Sequence, residues 1–135
     1  MRIETITFTD FNGVERTEDH YFNLTEAEAM EMEMSTNGGF SEMIKRIIAA
    51  QDTASLIEIF KGLIRKSYGR KSLDGRKFEK SEEIFKDFES TEAYSILFMK
   101  LATDTKAATD FVNGIAPKKK ETTAGVNTSN VVPMA

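Results

Sequence analysis

The chain has 135 residues, of which 40% are hydrophobic and 10% aromatic, a composition that suits one globular domain with a real core and excludes intrinsic disorder. It has no cysteine, which excludes disulfides, thiol nucleophiles and zinc thiolate sites and is compatible with a reducing cytoplasm. Its net charge is −4, and residues 1–115 alone hold 21 acids against 15 bases, so the body repels nucleic acid and no nucleic-acid partner is expected.

The opening MRIETITFTD lacks an apolar h-region, so no signal peptide is expected. No apolar run approaches the roughly 20 residues of a membrane span. Arg2 to Phe8 alternates, with Ile3, Thr5 and Thr7 on one face and Glu4, Ile6 and Phe8 on the other. That is a strand pattern, rich in β-branched residues. Asn12-Gly13 is a strong hairpin signal, because both residues tolerate positive φ. Val14 to Phe22 returns as a more polar strand, which makes residues 2–22 a β-hairpin. Two strands alone are marginal in water, so one face must pack on helices or join another sheet.

Thr25 and Glu28 have the spacing of a capping box and start a helix that runs to about Met34. Gly38-Gly39 breaks it. Ser41 is expected to cap a second helix carrying Met43, Ile44, Ile47 and Ile48, and Asp52 a third. Leu56, Phe60 and Leu63 form the apolar stripe of the third helix, with Ile57 and Ile64 beside it, and the stripe reads as core. Gly69 reads as a helix stop after Tyr68. Residues 69–80, with Asp74-Gly75, predict a loop or a very small hairpin. Ser81 caps a short helix with Ile84, Phe85 and Phe88, and Ser90 or Thr91 caps another. Ala93 to Leu101 is apolar nearly all round, the pattern of a buried central helix. Asp104 caps the last helix, closed by Asn113-Gly114. The expected fold is α+β and mainly α: a hairpin over 2–22 packed on five to six helices over 25–115, in one folded domain over 1–115. Residues 116–135 read as a flexible tail.

Chemistry is sparse. His20 is the only histidine and has no nucleophile in a recognisable motif with it, so it reads as a partly exposed strand residue. Glu26, Glu28, Glu31 and Glu33 fan around a helix instead of converging on a metal. Asp10-Phe11-Asn12-Gly13 lacks the later ligands of a calcium loop, whose twelfth position is Tyr21 here. No phosphate-binding, dinucleotide, metalloprotease or serine-hydrolase motif is present. The basic patch of Gly69-Arg70-Lys71 and Gly75-Arg76-Lys77, with Arg65 and Lys66 just before it, reads as a solvated loop ahead of the alternative, a site for an acidic partner or phosphate. Met30, Met32, Met34 and Met43 read as core filler ahead of an adaptable surface. No catalytic, cofactor-binding or metal-binding residue is assigned, and an enzymatic activity is not expected.

The running sequence TDFNGVERTEDHYFNLTEAEAMEME, then GGFSEMIKRIIAAQD, IFKGLIRKSYGRKSLDGRKF, STEAYSILFMKLATD and AATDFVNGIAP, covers residues 5–117. It resembles the tail assembly chaperones of long-tailed, siphovirus-type bacteriophages, chiefly those of Gram-positive hosts. The resemblance implies a non-enzymatic protein of the host cytoplasm that coats and solubilises the tape measure protein and helps recruit the major tail protein. It implies absence from the mature virion, with self-association into a homo-oligomer as a further expectation. It also implies a longer form made by a programmed −1 frameshift, and Lys118-Lys119-Lys120 marks a junction where A-rich codons would allow slippage. The alternative is a structural tail or connector protein, which mass spectrometry of purified virions would detect.

Overall fold

The computed structural model describes residues 1–117. Six helices and a four-stranded antiparallel sheet make up the described part, an α+β fold that is mainly α. The tail expected over 116–135, with the Lys118–Lys120 junction, lies outside the described residues apart from Ala116 and Pro117.

Strands β1 (Arg2–Thr9) and β2 (Glu15–Phe22) pair over their full length, from Arg2 opposite Phe22 to Thr9 opposite Glu15. The turn is tied by the Asp10 carboxylate, which accepts the N–H groups of Asn12 and Val14, each at 2.9 Å. Gly13 alone of the Asn-Gly pair takes positive φ, at 82°. The two faces alternate along β1 as expected, and it is Glu4, Ile6 and Phe8 that turn inward. Glu4 is buried yet satisfied, 2.7 Å from Arg2 Nε and 3.5 Å from Lys100 Nζ.

Helix α1 (Glu26–Ser35) begins at the expected capping box: Thr25 Oγ1 accepts the Glu28 N–H, and Glu28 Oε1 accepts the Thr25 N–H. Helix α2 (Phe40–Ala49) is followed by α3 (Thr53–Ser67), capped by Asp52. Ser41 does not cap α2. The cap position is Gly39, and Ser41 lies inside the first turn, where its N–H donates to Glu33 Oε1 at 3.2 Å. A carboxylate from the preceding helix thus replaces the local hydroxyl.

The sheet is larger than the sequence indicates. The third helix ends at Ser67, and Gly69 is not its stop but part of strand β3 (Tyr68–Lys71). β3 pairs with β2 through Tyr21 and Phe22, and on its other side with β4 (Phe78–Glu79). The order is β1-β2-β3-β4. A side chain at Gly69 would place its Cβ against the Phe78 ring and 2.9 Å from the Glu79 carbonyl oxygen. The small residue therefore serves close strand approach.

Helices α4 (Glu82–Glu89), α5 (Glu92–Thr103) and α6 (Thr105–Ile115) close the core. α5 is not buried all round. Ala93, Leu97 and Leu101 face inward against β1, α4 and α6, whereas Ile96 and Met99 are exposed. An apolar composition does not say which sides are covered, and β1, α3, α4 and α6 bury only the side of α5 that carries Ala93, Leu97 and Leu101. The core centres on Phe22, set edge-on to Tyr68, Phe88 and Phe111 with ring centroids 5.2 to 5.9 Å apart. Tyr68 stacks on Phe88 at 4.4 Å. Each such ring contributes about 1.5–3 kcal/mol by burial, and each pair about 0.5–1.5 kcal/mol more. Two backbone bonds then lock the segment after β2: Asn23 N–H donates to Ser67 O at 2.8 Å, and Leu24 N–H to Ile115 O at 3.0 Å.

Candidate functional site

The residues that first suggest chemistry do not converge. His20 is buried, not partly exposed, because β2 turns it onto the ring of Phe88, 4.5 Å between centroids. Its Nε2 is 3.1 Å from Glu18 Oε1 and its Nδ1 3.0 Å from Tyr68 Oη. A carboxylate can only accept, so Nε2 carries the proton and Nδ1 accepts from the Tyr68 hydroxyl. Burial pushes the imidazole below its ordinary value, against the opposing pull of Glu18, Asp19 and Asp87. Burial likewise pushes the Tyr68 hydroxyl up to about 12, so it stays a donor. Both ring nitrogens are thus bonded, and the imidazole is a satisfied structural group.

Two of the four α1 acids are engaged in holding the fold. Glu28 binds Lys80, and Glu33 binds Ser41. Among the described residues, no group of three or more acids or histidines is placed to hold a metal. Arg65 makes a two-oxygen contact with Glu82, at 2.6 and 2.8 Å, while its guanidinium covers the Phe85 ring. Arg70 pairs with Asp87, Lys77 with Glu79, and Lys71 lies over the ring of Tyr21. The basic stretch is thus largely answered by neighbours and presents no convergent anion site.

The described surface does carry a cavity, and it is apolar. α2 sets Ile44, Ile47 and Ile48 along one side, the spacing that puts three residues on one face of a helix. Leu56, Ile59 and Phe60 of α3 form the opposite wall. Leu101 at the end of α5, with Ala108 and Val112 of α6, form the remainder. The space between them is about 400 Å³. A void of roughly 150 Å³ accepts a benzene ring, so this groove accepts about two to three large side chains. Threonines 53, 103, 105 and 109 and Asn113 supply a polar rim. Asp52 stands on the rim as a carboxylate held below its ordinary value by two hydrogen bonds from Ser55.

Helical spacing puts α2's isoleucines on one face without saying what covers it. The structure buries none of them: no residue of α1 or α2 is buried, and Ile48 is 56% exposed. Of the methionines read as core filler, Met32 packs half-buried against the core, whereas Met30 and Met34 are exposed and Met43 is half-buried outside it. Leu56 of the third-helix stripe is half-buried on the groove, while Phe60, Leu63 and Ile64 are core as expected. An amphipathic stripe has the same pattern whether it meets the core or fronts a groove. The one available signal was the brevity of α2 between Gly38-Gly39 and Gln51-Asp52.

A family model described as phage tail assembly chaperone matches residues 1–130 of the chain. No curated protein and no solved structure matches it.

Proposed function

Since the chain belongs to the phage tail assembly chaperone family, we propose that it binds the tape measure protein, keeps it soluble and promotes assembly of the tail tube around it, without catalysis. The observation that carries this reading is the apolar groove between α2, α3 and α6, one wall of which buries no residue of its own. A helix with large apolar residues at successive turns lays such a face into a groove of this kind. Two to three side chains per site is a modest contact, and many copies along one long helix would add their affinities. Met30 and Met34 on α1 and Met99 on α5 are further exposed side chains of the adaptable, apolar kind.

The place of action is the host cytoplasm during assembly, with the protein lost before the virion is complete and the major tail protein as second partner. The sequence after Pro117 is exchanged for a longer one by a −1 frameshift at Lys118–Lys120. Support for that exchange lies in the Leu24–Ile115 bond, since among the described residues the core ends at Ile115, ahead of the lysine run. The nucleotide sequence of the gene tests it: without a slippery run and an overlapping frame, no longer form is made.

The test of the main reading is co-expression with the tape measure protein encoded downstream. We expect a large gain in its soluble fraction and a copurifying complex. Equal solubility with and without this chain, and no complex, overturn the reading.

A further inference from the structure

The same groove has a jointed wall. Between Glu26 and Ala49 no side chain is fully buried. Met32 and Phe40 alone of this stretch lean half-buried against the core, so α2 beyond Phe40 has no core anchor of its own. The start of α1 is fixed, because Lys80 Nζ donates to Asn23 O at 2.7 Å and to both oxygens of Glu28. The far end is fixed where α3 enters the core through Phe60, Leu63 and Ile64. α2 lies between these anchors with a sharp bend at each end.

The first bend is Gly38-Gly39, with φ of 77° and 91°. The second is Gln51, with φ of 56°, the only non-glycine residue with positive φ among the described residues. Gln51 N–H donates to Ile48 O at 3.0 Å and Asp52 N–H to Ile47 O at 3.1 Å. That is the reverse-turn cap normally built on glycine. A side chain with a Cβ costs about 1–2 kcal/mol in this conformation, so the joint is strained on the side away from the glycines. Across the elbow, the contact that ties α2 back to α1 is Glu33 to Ser41, exposed and 3.2 to 3.5 Å long. The inner face of α2 meets a void of about 400 Å³ where a packed helix would meet side chains.

We infer that α2 is a jaw, turning on Gly38-Gly39 and Gln51, which opens to admit the apolar face of the partner helix and closes over it. This rests on the groove being the partner site. In the free protein, Ile44, Ile47 and Ile48 half-cover the opposite wall and limit exposed apolar area. In the complex, the partner's side chains fill the void and the three isoleucines gain the burial they lack. The fold thereby makes burial of α2 conditional on a partner, which is a population shift and not a change of the core.

The chain has no cysteine, so paired labels can be placed cleanly. Nitroxides at Lys45→Cys on α2 and Lys106→Cys on α6 report the jaw, and Lys61→Cys with Lys106→Cys reports the body. All three lysines are exposed, so these variants keep the fold. Pulsed dipolar spectroscopy of the free protein is expected to give a distance distribution about twofold broader for the jaw pair than for the body pair. In the copurified complex with the tape measure protein, the jaw distribution narrows to the body width. Equal widths in the free protein overturn the jaw even where the complex forms, and so does a broad distribution that persists in the complex. Failure of the binding reading is seen separately, as absence of the complex on co-expression.

Discussion

The ammonium of Lys80 lies 2.8 and 2.9 Å from the two carboxylate oxygens of Glu28, fifty-two residues earlier in the chain. Glu28 also accepts the Thr25 N–H, so one carboxylate both caps α1 and pins its start beside β4. Burial pushes its pKa up, but Lys80 and the Thr25 amide outweigh this and hold it below its ordinary value of 4.5. The folded state therefore takes up this proton less readily than the unfolded chain. The stabilisation is present above pH 4.5 and is lost as pH falls through the depressed folded value. Lys80→Met removes the clip, and we expect a loss of about 1.5 kcal/mol at neutral pH in urea unfolding, with less acid sensitivity. An unchanged unfolding midpoint would show that the clip carries no stability.

His20 titrates in a higher window. Its folded pKa lies below the ordinary 6.5, so the unfolded chain binds the proton first. Its contribution is fully present above that value and falls away as pH drops from 6.5 towards the folded value. Between about pH 7 and pH 5, stability should decline by at most about 1.4 kcal/mol per pH unit. His20→Gln should be less stable at pH 7 yet flat over this range. Parallel slopes for the two proteins would remove His20 as the cause.

At Gly69 the constraint is steric. An added Cβ would lie 2.9 Å from the Glu79 carbonyl oxygen, which is backbone and cannot swing aside. Gly69→Val should cost about 1–3 kcal/mol by forcing β3 and β4 apart. Gly62→Ala is the control, since an added Cβ there meets nothing within 4 Å. Thermal unfolding should separate the two clearly, and equal melting temperatures would refute the close-approach role.

The groove predicts a variant that folds and fails to bind. Ile48 is 56% exposed, so Ile48→Glu should change stability by less than about 0.5 kcal/mol. It places a carboxylate on the apolar lining and should abolish copurification of the tape measure protein. Leu73→Glu, at the exposed tip of the β3–β4 turn and away from the groove lining, should leave the complex intact. Retention of the complex by Ile48→Glu would move the binding surface elsewhere.

Local signals were readable where one residue set decides the structure. The alternation of Glu4, Ile6 and Phe8 has a single solution once one face is covered, and the caps at Thr25, Asp52, Ser81 and Asp104 act within three residues of themselves. The Asn12-Gly13 turn was readable for the same reason. The errors fall where a distant partner decides. Gly69 follows a helical run with no break, and only its pairing with Tyr21 makes it strand. Ser41 has the right chemistry for a cap, but the Glu33 carboxylate reaches across the elbow and takes its N–H.

The groove was hidden by the same logic. Ile44, Ile47 and Ile48 sit on one face in either case, and amphipathicity says which side is apolar without saying what covers it. His20 was misplaced because polar neighbours in β2 suggest exposure, whereas Phe88, sixty-eight residues on, supplies the cover. Ile96 and Met99 were misplaced in the opposite sense, since α5 has partners on one side only.

The bond from Leu24 N–H to the Ile115 carbonyl has a consequence for the order of synthesis. The inner face of the β1–β2 hairpin is covered by α5 and α6, whose last residue is made about ninety residues after the hairpin is complete. At about 5–20 residues per second, Ile6 and Phe8 wait on the order of five to twenty seconds on the ribosome without their cover. Release or pausing before residue 115 leaves them open, because α6 brings Phe111 and Ile115 to the core. A chain that stops ahead of Ile115 would therefore leave the inner face of the hairpin without its last cover.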